Sequence, residues 1–166
     1  MKPFLTLAAL SALLAGCATT GAAPPSGVGA QSLSFEAGAC FGTCPIYRVD
    51  IGADGQGVLH GERFTAQAGD QPITLTPAQW DAAARLFARW RPAAGTERKI
   101  VPGEPGCALV ATDMPGYTIV WDRGTTREAT LRFYAGCHDE ANGPLREAIA
   151  RFPATIGIEP LLRPAR

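Results

Sequence analysis

Four cysteines, Cys40, Cys44, Cys107 and Cys137, are the residues of this chain whose type and spacing are best suited to chemistry. Paired cysteines form structural disulfides, exchange electrons as thiols, or bind soft metals such as copper. In an oxidising compartment, an even number of cysteines favours disulfides. Four cysteines allow three pairings, and the sequence does not choose among them. Our hypothesis is that Cys40 pairs with Cys44 and Cys107 with Cys137, and that both disulfides are structural.

The spacing of Cys40 and Cys44 also admits an active role. Two cysteines separated by three residues and followed by a proline are similar to the site of Sco-type copper chaperones, which add a distant histidine, here His138. Two thiolates and an imidazole suit copper. A reactive thiolate, however, needs a nearby helix N-terminus or cation, and here Pro45 and a strand are expected to follow Cys44. Copper binding or thiol redox chemistry at this pair is the alternative hypothesis.

The remaining polar candidates are expected to be structural. The pattern around His60 is typical of a partly exposed strand residue, and His138 is expected in a surface loop. Asp113 lies two residues before Pro115, in a segment whose composition is typical of a turn. The sequence has no nucleophile elbow, His-Glu zinc motif, phosphate-binding glycine loop or dinucleotide fingerprint. We therefore expect a protein without catalysis.

The start of the chain indicates export and lipidation. Lys2 is followed by an apolar run from Phe4 to Leu14 that is too short to span a bilayer. Leu14-Ala15-Gly16-Cys17 resembles the lipobox of bacterial lipoproteins. Residues 1–16 are thus predicted to be a signal peptide, and Cys17 is the predicted lipidation site. Since Ala18 follows Cys17, the resemblance implies an outer-membrane anchor facing the periplasm.

The rest of the chain divides into a tether, one domain and a tail. Residues 17–30 are mostly small residues and proline, a composition typical of a flexible tether. Residues 31–153 have the length of a single domain, and residues 154–166 are assigned to a C-terminal tail. Fifteen basic residues balance fifteen acidic ones. Because they form no basic cluster, the sequence does not indicate a nucleic-acid partner.

Alternating apolar and polar residues predict a series of short strands. Asp54-Gly55 predicts a hairpin turn, and residues 92–106, rich in proline and glycine, predict a long surface loop. The predicted strands cover residues 32–36, 46–51, 58–64, 71–75, 109–112, 117–122 and 127–134.

Two helices are predicted. Thr76, Pro77 and Gln79 form the pattern of a capping box, and apolar residues from Trp80 to Trp90 follow at helical spacing. The second helix is expected to begin near Gly143 and to end at Pro153. Short connections favour antiparallel pairing. The predicted fold is therefore α+β, with a mainly antiparallel sheet built from two hairpin-plus-helix halves and with both helices on one face.

Several pieces of the chain resemble a family catalogued as domain of unknown function 6438. The pieces are Cys40-Phe41-Gly42-Thr43-Cys44-Pro45-Ile46-Tyr47, Asp54-Gly55, Gly61, Thr76-Pro77-Ala78-Gln79-Trp80, Ala111-Thr112-Asp113-Met114-Pro115 and Tyr134-Ala135-Gly136-Cys137. The resemblance implies an exported, often lipid-anchored domain, and it implies no reaction.

Together these features predict a lipid-anchored protein of the cell envelope that acts as a non-catalytic binding module. The expected partners are the membrane, through the lipid on Cys17, and another envelope protein. No cofactor is expected. The alternative hypothesis is a copper-binding or thiol-redox protein that uses Cys40 and Cys44, with His138 as a further copper ligand.

Overall fold

The chain forms one seven-stranded sheet whose central strand is the first in the sequence. The computed structural model describes residues 29–162. In chain order the strands are β1 Ser32–Ala37, β2 Ile46–Gly52, β3 Gln56–Arg63, β4 Gly69–Thr74, β5 Glu97–Ile100, β6 Gly116–Trp121 and β7 Ala129–Tyr134. They lie side by side in the order β4-β3-β2-β1-β6-β7-β5. β1 therefore pairs antiparallel with β2 on one side and with β6 on the other.

Alternation along the strands gives the sheet two unlike faces. Leu33 and Phe35 of β1 are buried and lie opposite Ile51 and Val49 of β2, which are buried too. Side chains at the intervening positions, such as Asp50, point to the other face. One face is thus apolar and the other polar, which is the period-of-two pattern that predicted these strands.

The first helix, α1 (Pro77–Phe87), begins at the predicted capping box. Thr76 accepts a hydrogen bond from the backbone N–H of Gln79, and the Gln79 side chain accepts one from the backbone N–H of Thr76. Pro77 occupies the first turn, where its missing N–H costs nothing. The helix buries Trp80 and Phe87, and a 3₁₀ turn over Ala88–Trp90 follows it. The stripe of apolar residues predicted for this helix is confirmed.

Two further helices close the chain, α2 (Gly143–Ile156) and α3 (Glu159–Leu162). The Phe35 ring lies 5.9 Å from the Phe87 ring of α1 and 4.5 Å from the Phe152 ring of α2, measured between centroids. Because one side chain of β1 contacts both helices, α1 and α2 lie on the same face of the sheet. The predicted α+β class, with a mainly antiparallel sheet and helices on one face, is confirmed.

The segment 92–106, predicted to be a loop throughout, contains β5. This strand pairs parallel with β7, and its residues Glu97, Arg98 and Lys99 are exposed. A four-residue edge strand with three charged residues shows no alternation that sequence analysis could detect. Ile100 is its buried residue. As a result, the second half of the chain is not a simple hairpin, and the first half contains four strands in succession.

Two other element boundaries differ from the prediction. Leu109–Thr112 is not a strand, because only Val110 forms an isolated bridge, to Cys137. Pro153 does not end α2, which continues to Ile156. A proline inside a helix removes one hydrogen bond at a cost of about 3 kcal/mol. Here Phe152 and Ile156 are buried on either side of it, and that burial offsets the cost.

The packed structure extends beyond the predicted boundary at residue 153. Gly157 ends α2 in a left-handed conformation with φ 77°, a cap that glycine adopts without steric cost. Ile158 and Leu162 are then buried against the rest of the core. Residues 154–162 are therefore part of the folded unit and not a separate tail.

A buried carboxylate, that of Asp122, holds the segment that leads into β1. Asp122 follows β6 with φ 54° and is 2 % exposed. Its Oδ1 accepts a hydrogen bond from the backbone N–H of Gln31 at 2.5 Å, and its Oδ2 lies 2.7 Å from Nη2 of Arg91. The start of β1, the end of β6 and the segment after α1 are thus held at one place.

Candidate functional site

The four cysteines of the described chain lie in two pairs at disulfide distance. Cys40 and Cys44 flank the tip of the loop between β1 and β2, with their Cα atoms 5.9 Å apart. Cys107 and Cys137 join two distant loops, with their Cα atoms 4.7 Å apart. This pairing is the one hypothesised from the sequence. The first pair is partly exposed, whereas Cys107 and Cys137 are buried.

Three loops meet at the end of the sheet that carries both pairs. The backbone N–H of Phe41 donates to the carbonyl of Asp113 at 3.1 Å, and that of Ala135 donates to the carbonyl of Pro115 at 3.0 Å. A third bond runs from the N–H of Ala111 to the carbonyl of Gly136 at 2.8 Å. We call these loops, residues 38–45, 107–115 and 135–139, the disulfide end.

The disulfide end carries four large apolar side chains that are exposed to solvent. Phe41 is 87 % exposed and Leu109 63 %, and Val110 and Met114 are exposed to a smaller extent. We call these four residues the apolar tip. Asp139 fixes part of it, since its two carboxylate oxygens accept hydrogen bonds from the backbone N–H groups of Ala108 and Leu109, each at 2.9 Å. These bonds hold the pKa of Asp139 below its usual value.

The sequence hypothesis of a copper site joins Cys40 and Cys44 to His138. The structure brings the two cysteines together, and it places His138 in the loop where its backbone N–H donates to the carbonyl of Leu109 at 2.7 Å. Within residues 29–162, no three His, Cys, Asp or Glu side chains are grouped so as to hold a metal ion.

Comparison with known proteins places the chain in a family. A family model described as Domain of unknown function (DUF6438) matches residues 31–154. The chain belongs to this family. No curated protein and no solved structure matches it. Three pieces that carried the resemblance, those that contain Cys40, Asp113 and Tyr134, meet at the disulfide end of this DUF6438 domain.

The polar face of the DUF6438 domain carries a hydrogen-bonded network that sequence analysis did not identify. His60 of β3 lies between two carboxylates: its Nδ1 is 2.6 Å from Oδ1 of Asp70, and its Nε2 is 3.2 Å from Oδ2 of Asp50. Asp50 also accepts hydrogen bonds from the Ser34 hydroxyl and from Nε of Arg48. His60 is indeed a partly exposed strand residue, as expected, but its two acidic partners come from the neighbouring strands.

The cause of this network is strand register. His60 faces Asp70 directly across the β3–β4 pair, and Asp50 is offset by two residues on β2. The positions of Asp50 and His60 on either side of the Asp54-Gly55 turn could have predicted that the two side chains lie close together. That prediction requires the register of the hairpin, because a shift of one residue would send His60 to the other face.

The hydroxyl and the imidazole of this network do not contact each other directly. Ser34 is buried, and its hydroxyl bonds to Asp50 and to Nη2 of Arg123, not to an imidazole. Partial burial raises the pKa of Asp50. Hydrogen bonds from Ser34 and Arg48 and the charges of Arg48 and Arg123 have the larger combined effect, so the pKa lies below its usual value. Asp50 is thus held as an ionised carboxylate that ties strands together.

Cys17, the predicted lipidation site, precedes the DUF6438 domain and lies outside the described residues, as do the predicted signal peptide 1–16 and most of the predicted tether. Within residues 29–162, none of the helices is long and apolar enough to cross a membrane.

Proposed function

We propose that the chain is a lipid-anchored protein of the bacterial cell envelope whose folded domain is a non-catalytic binding module for another envelope protein. Lipid on Cys17 attaches it to the outer membrane, facing the periplasm. The disulfide end is the binding surface, and the apolar tip makes the central contact. The observation that carries this proposal is the exposure of Phe41, 87 %, on a loop closed by a cysteine pair.

The position of the tip supports presentation away from the anchor. β1 begins at Ser32, next to the segment that leads back to Cys17, and it ends at Ala37, just before the Cys40 loop. The tether and the tip thus join opposite ends of one strand of six residues, a span of about 20 Å. A partner at the tip would meet the domain on the side remote from the tether.

The composition of the tip suggests the chemistry of the partner. Several large apolar residues exposed at one end of a domain suggest an interaction surface, and aromatic residues are enriched where binding energy is concentrated. Asp113 and Asp139 are adjacent to the tip and carry carboxylates. An apolar pocket bordered by basic side chains on the partner would complement this surface. Loops fixed by two cysteine pairs lose little conformational freedom on binding, which favours affinity.

Site-specific photocrosslinking in intact cells tests the binding surface. A photoreactive phenylalanine analogue replaces Phe41 in one strain and Arg151, which is exposed on α2, in a matched control. We expect a discrete adduct from residue 41 and none from residue 151. Adducts of the same mass from both residues, or none from residue 41, would contradict a partner at the tip.

The anchor needs its own test because it is independent of the binding surface. Metabolic labelling with a radioactive fatty acid is expected to label the wild-type chain and not the Cys17→Ser variant. The variant is expected in the soluble periplasmic fraction and the wild type with the outer membrane. Equal labelling of both chains would exclude lipidation at Cys17.

Thiol redox chemistry or copper binding at Cys40 and Cys44 remains a second proposal. The observation in its favour is that this pair is partly exposed while the Cys107–Cys137 pair is buried, so reductants reach it first. Thiol labelling of protein from the periplasm, before and after Cu(I) addition, tests it. Free Cys40 and Cys44 that bind copper, with a contribution from His138, would support the proposal, and a fully oxidised pair that resists mild reductant would count against it.

A further inference from the structure

A cleft lies between the helix-covered face of the sheet and α2, close to Cys44. Its volume is about 240 Å³, and apolar groups such as Pro45, Pro153 and Leu162 form much of its wall. A second lobe of about 110 Å³ shares Tyr117, Ile149 and Ala150 with the first and adds Arg146. Together the lobes form one small pocket that is distinct from the apolar tip.

Two tyrosines line this pocket. The Tyr47 ring lies 5.9 Å and the Tyr117 ring 5.8 Å from the Phe35 ring, on the two strands that flank β1. Tyr47 is 4 % exposed. Neither hydroxyl forms a hydrogen bond with a group of residues 29–162, and neither belongs to the buried polar atoms without a partner there, which are Trp80 Nε1 and Asp81 Oδ1. The hydroxyl of Tyr134, outside the pocket, accepts a hydrogen bond from the backbone N–H of Met114. A tyrosine hydroxyl beside an apolar wall can donate a hydrogen bond to the polar group of a ligand.

Both phenols are suited to donate hydrogen bonds. Burial raises the pKa of Tyr47, and the neighbouring Tyr117 raises it further. Burial also raises the pKa of Tyr117. Each hydroxyl therefore keeps its proton throughout the physiological range and offers it to an acceptor.

Arg146 supplies a positive charge at the second lobe. Its Nη1 donates to the carbonyl of Cys137 at 2.9 Å, which fixes the side chain. The guanidinium has five N–H donors, so others remain for a ligand. Among residues 29–162, no carboxylate lines either lobe. The polar side chains of the pocket are thus donors, set in apolar walls.

We propose that this pocket binds a small amphiphile that ends in a carboxylate, of the class of medium-chain fatty acids. The carboxylate lies at Tyr117, which both lobes share, and accepts hydrogen bonds from Tyr117 and Tyr47. Arg146 pairs with its charge. The apolar chain lies against Ile149 and Pro153. The volume admits a short chain and excludes a whole phospholipid.

Isothermal titration of decanoate, below its micelle concentration, into the full chain carrying Cys17→Ser tests this proposal. We expect saturable binding that is at least fivefold weaker in Tyr47→Phe and in Tyr117→Phe, because each loses one hydroxyl and keeps its ring. Arg146→Gln is expected to lose at least tenfold. Ala150→Trp, at an exposed residue of the wall, is expected to abolish binding without disturbing the core.

Matched controls distinguish the pocket from general adsorption. Tyr134→Phe removes a hydroxyl outside the pocket, and Arg151→Gln removes a charge from the outer face of α2; both are expected to bind like the parent. Decan-1-ol, which lacks the carboxylate, is expected to bind at least tenfold more weakly. Absence of saturable binding, equal affinity of the parent and the four pocket variants, or equal affinity for decan-1-ol would each overturn the proposal.

Discussion

The guanidinium of Arg91 and the carboxylate of Asp122 form an ion pair, with 2.7 Å between Nη2 and Oδ2, beside the start of β1. Asp122 is 2 % exposed and also accepts the backbone N–H of Gln31. A buried charge that loses its partner is costly. This pair and its backbone contacts thus hold the first strand in place.

Replacing Asp122 should therefore destabilise the domain. Asp122→Ala leaves the partly buried guanidinium of Arg91 and the backbone N–H of Gln31 without their acceptor and is expected to lower the free energy of unfolding by about 3 kcal/mol. Urea unfolding of the full Cys17→Ser chain, followed by tryptophan fluorescence, measures the change. Glu147→Ala is the matched control, because its pair with Arg151 is exposed; its expected effect is below about 0.5 kcal/mol. Equal losses in both variants would contradict the argument.

The two cysteine pairs should differ in their contribution to stability. Cys40 and Cys44 close a loop of four residues, and Cys107 and Cys137 one of thirty. On the chain-entropy model these loops give about 2 and about 3.5 kcal/mol. The double variant Cys107→Ser/Cys137→Ser is expected to lose the larger amount by urea unfolding, and Cys40→Ser/Cys44→Ser the smaller. The reverse order would show that loop length does not govern the effect.

The network around Asp50 should make the free energy of unfolding depend on pH in the acidic range. Its pKa in the folded domain lies below the usual value, so the folded state favours the carboxylate more than the unfolded chain does. The stabilisation is present above the ordinary pKa of an aspartate, about 4, and is lost as pH falls below it through the folded value. Asp50→Asn is expected to show a weaker loss of stability below pH 4 than the wild type in urea titrations across pH. Parallel curves for the two proteins would contradict the assignment.

The capping box at α1 offers a local test. Thr76→Ala removes the oxygen that accepts the N–H of Gln79 and is expected to cost about 1 kcal/mol of stability. Thr76→Ser keeps that oxygen and is expected to retain most of the wild-type value. Thermal unfolding by circular dichroism compares the two. A loss of the same size in Thr76→Ser would point to the methyl group instead of the cap.

Local patterns in the sequence were enough to predict most of the sheet and the helix-covered face. Alternation placed Val49 and Ile51 on one side of β2, and helical spacing placed Trp80 and Phe87 on one side of α1. Strand β5 was not predicted, because its neighbours on β7 are distant in sequence and its own residues are mostly charged. The prediction that α2 ends at Pro153 was wrong. Burial of Ile156 outweighed the local tendency of proline to end a helix, and local propensities do not include such tertiary contacts.

The site was less predictable than the fold. The number of cysteines predicted two disulfides and left their pairing as a hypothesis, and nothing in the local sequence indicated that Phe41 would be exposed and not buried. The backbone of Phe41 is held by the carbonyl of Asp113, a residue distant in sequence that meets it only in the folded domain. The partners of His60 and the pocket at Tyr47 likewise depend on strand order, which one sequence does not specify.

The central place of β1 has a mechanical consequence. Its beginning joins the segment that leads to the predicted tether, and its end leads into the Cys40 loop. A pull between those two points would act along the strand and load its hydrogen bonds to β2 and β6 in shear. Shear strains all of these bonds together, whereas peeling an edge strand breaks them one at a time. A load between the two ends of β1 would therefore be shared by the hydrogen bonds of β1 to both of its neighbours.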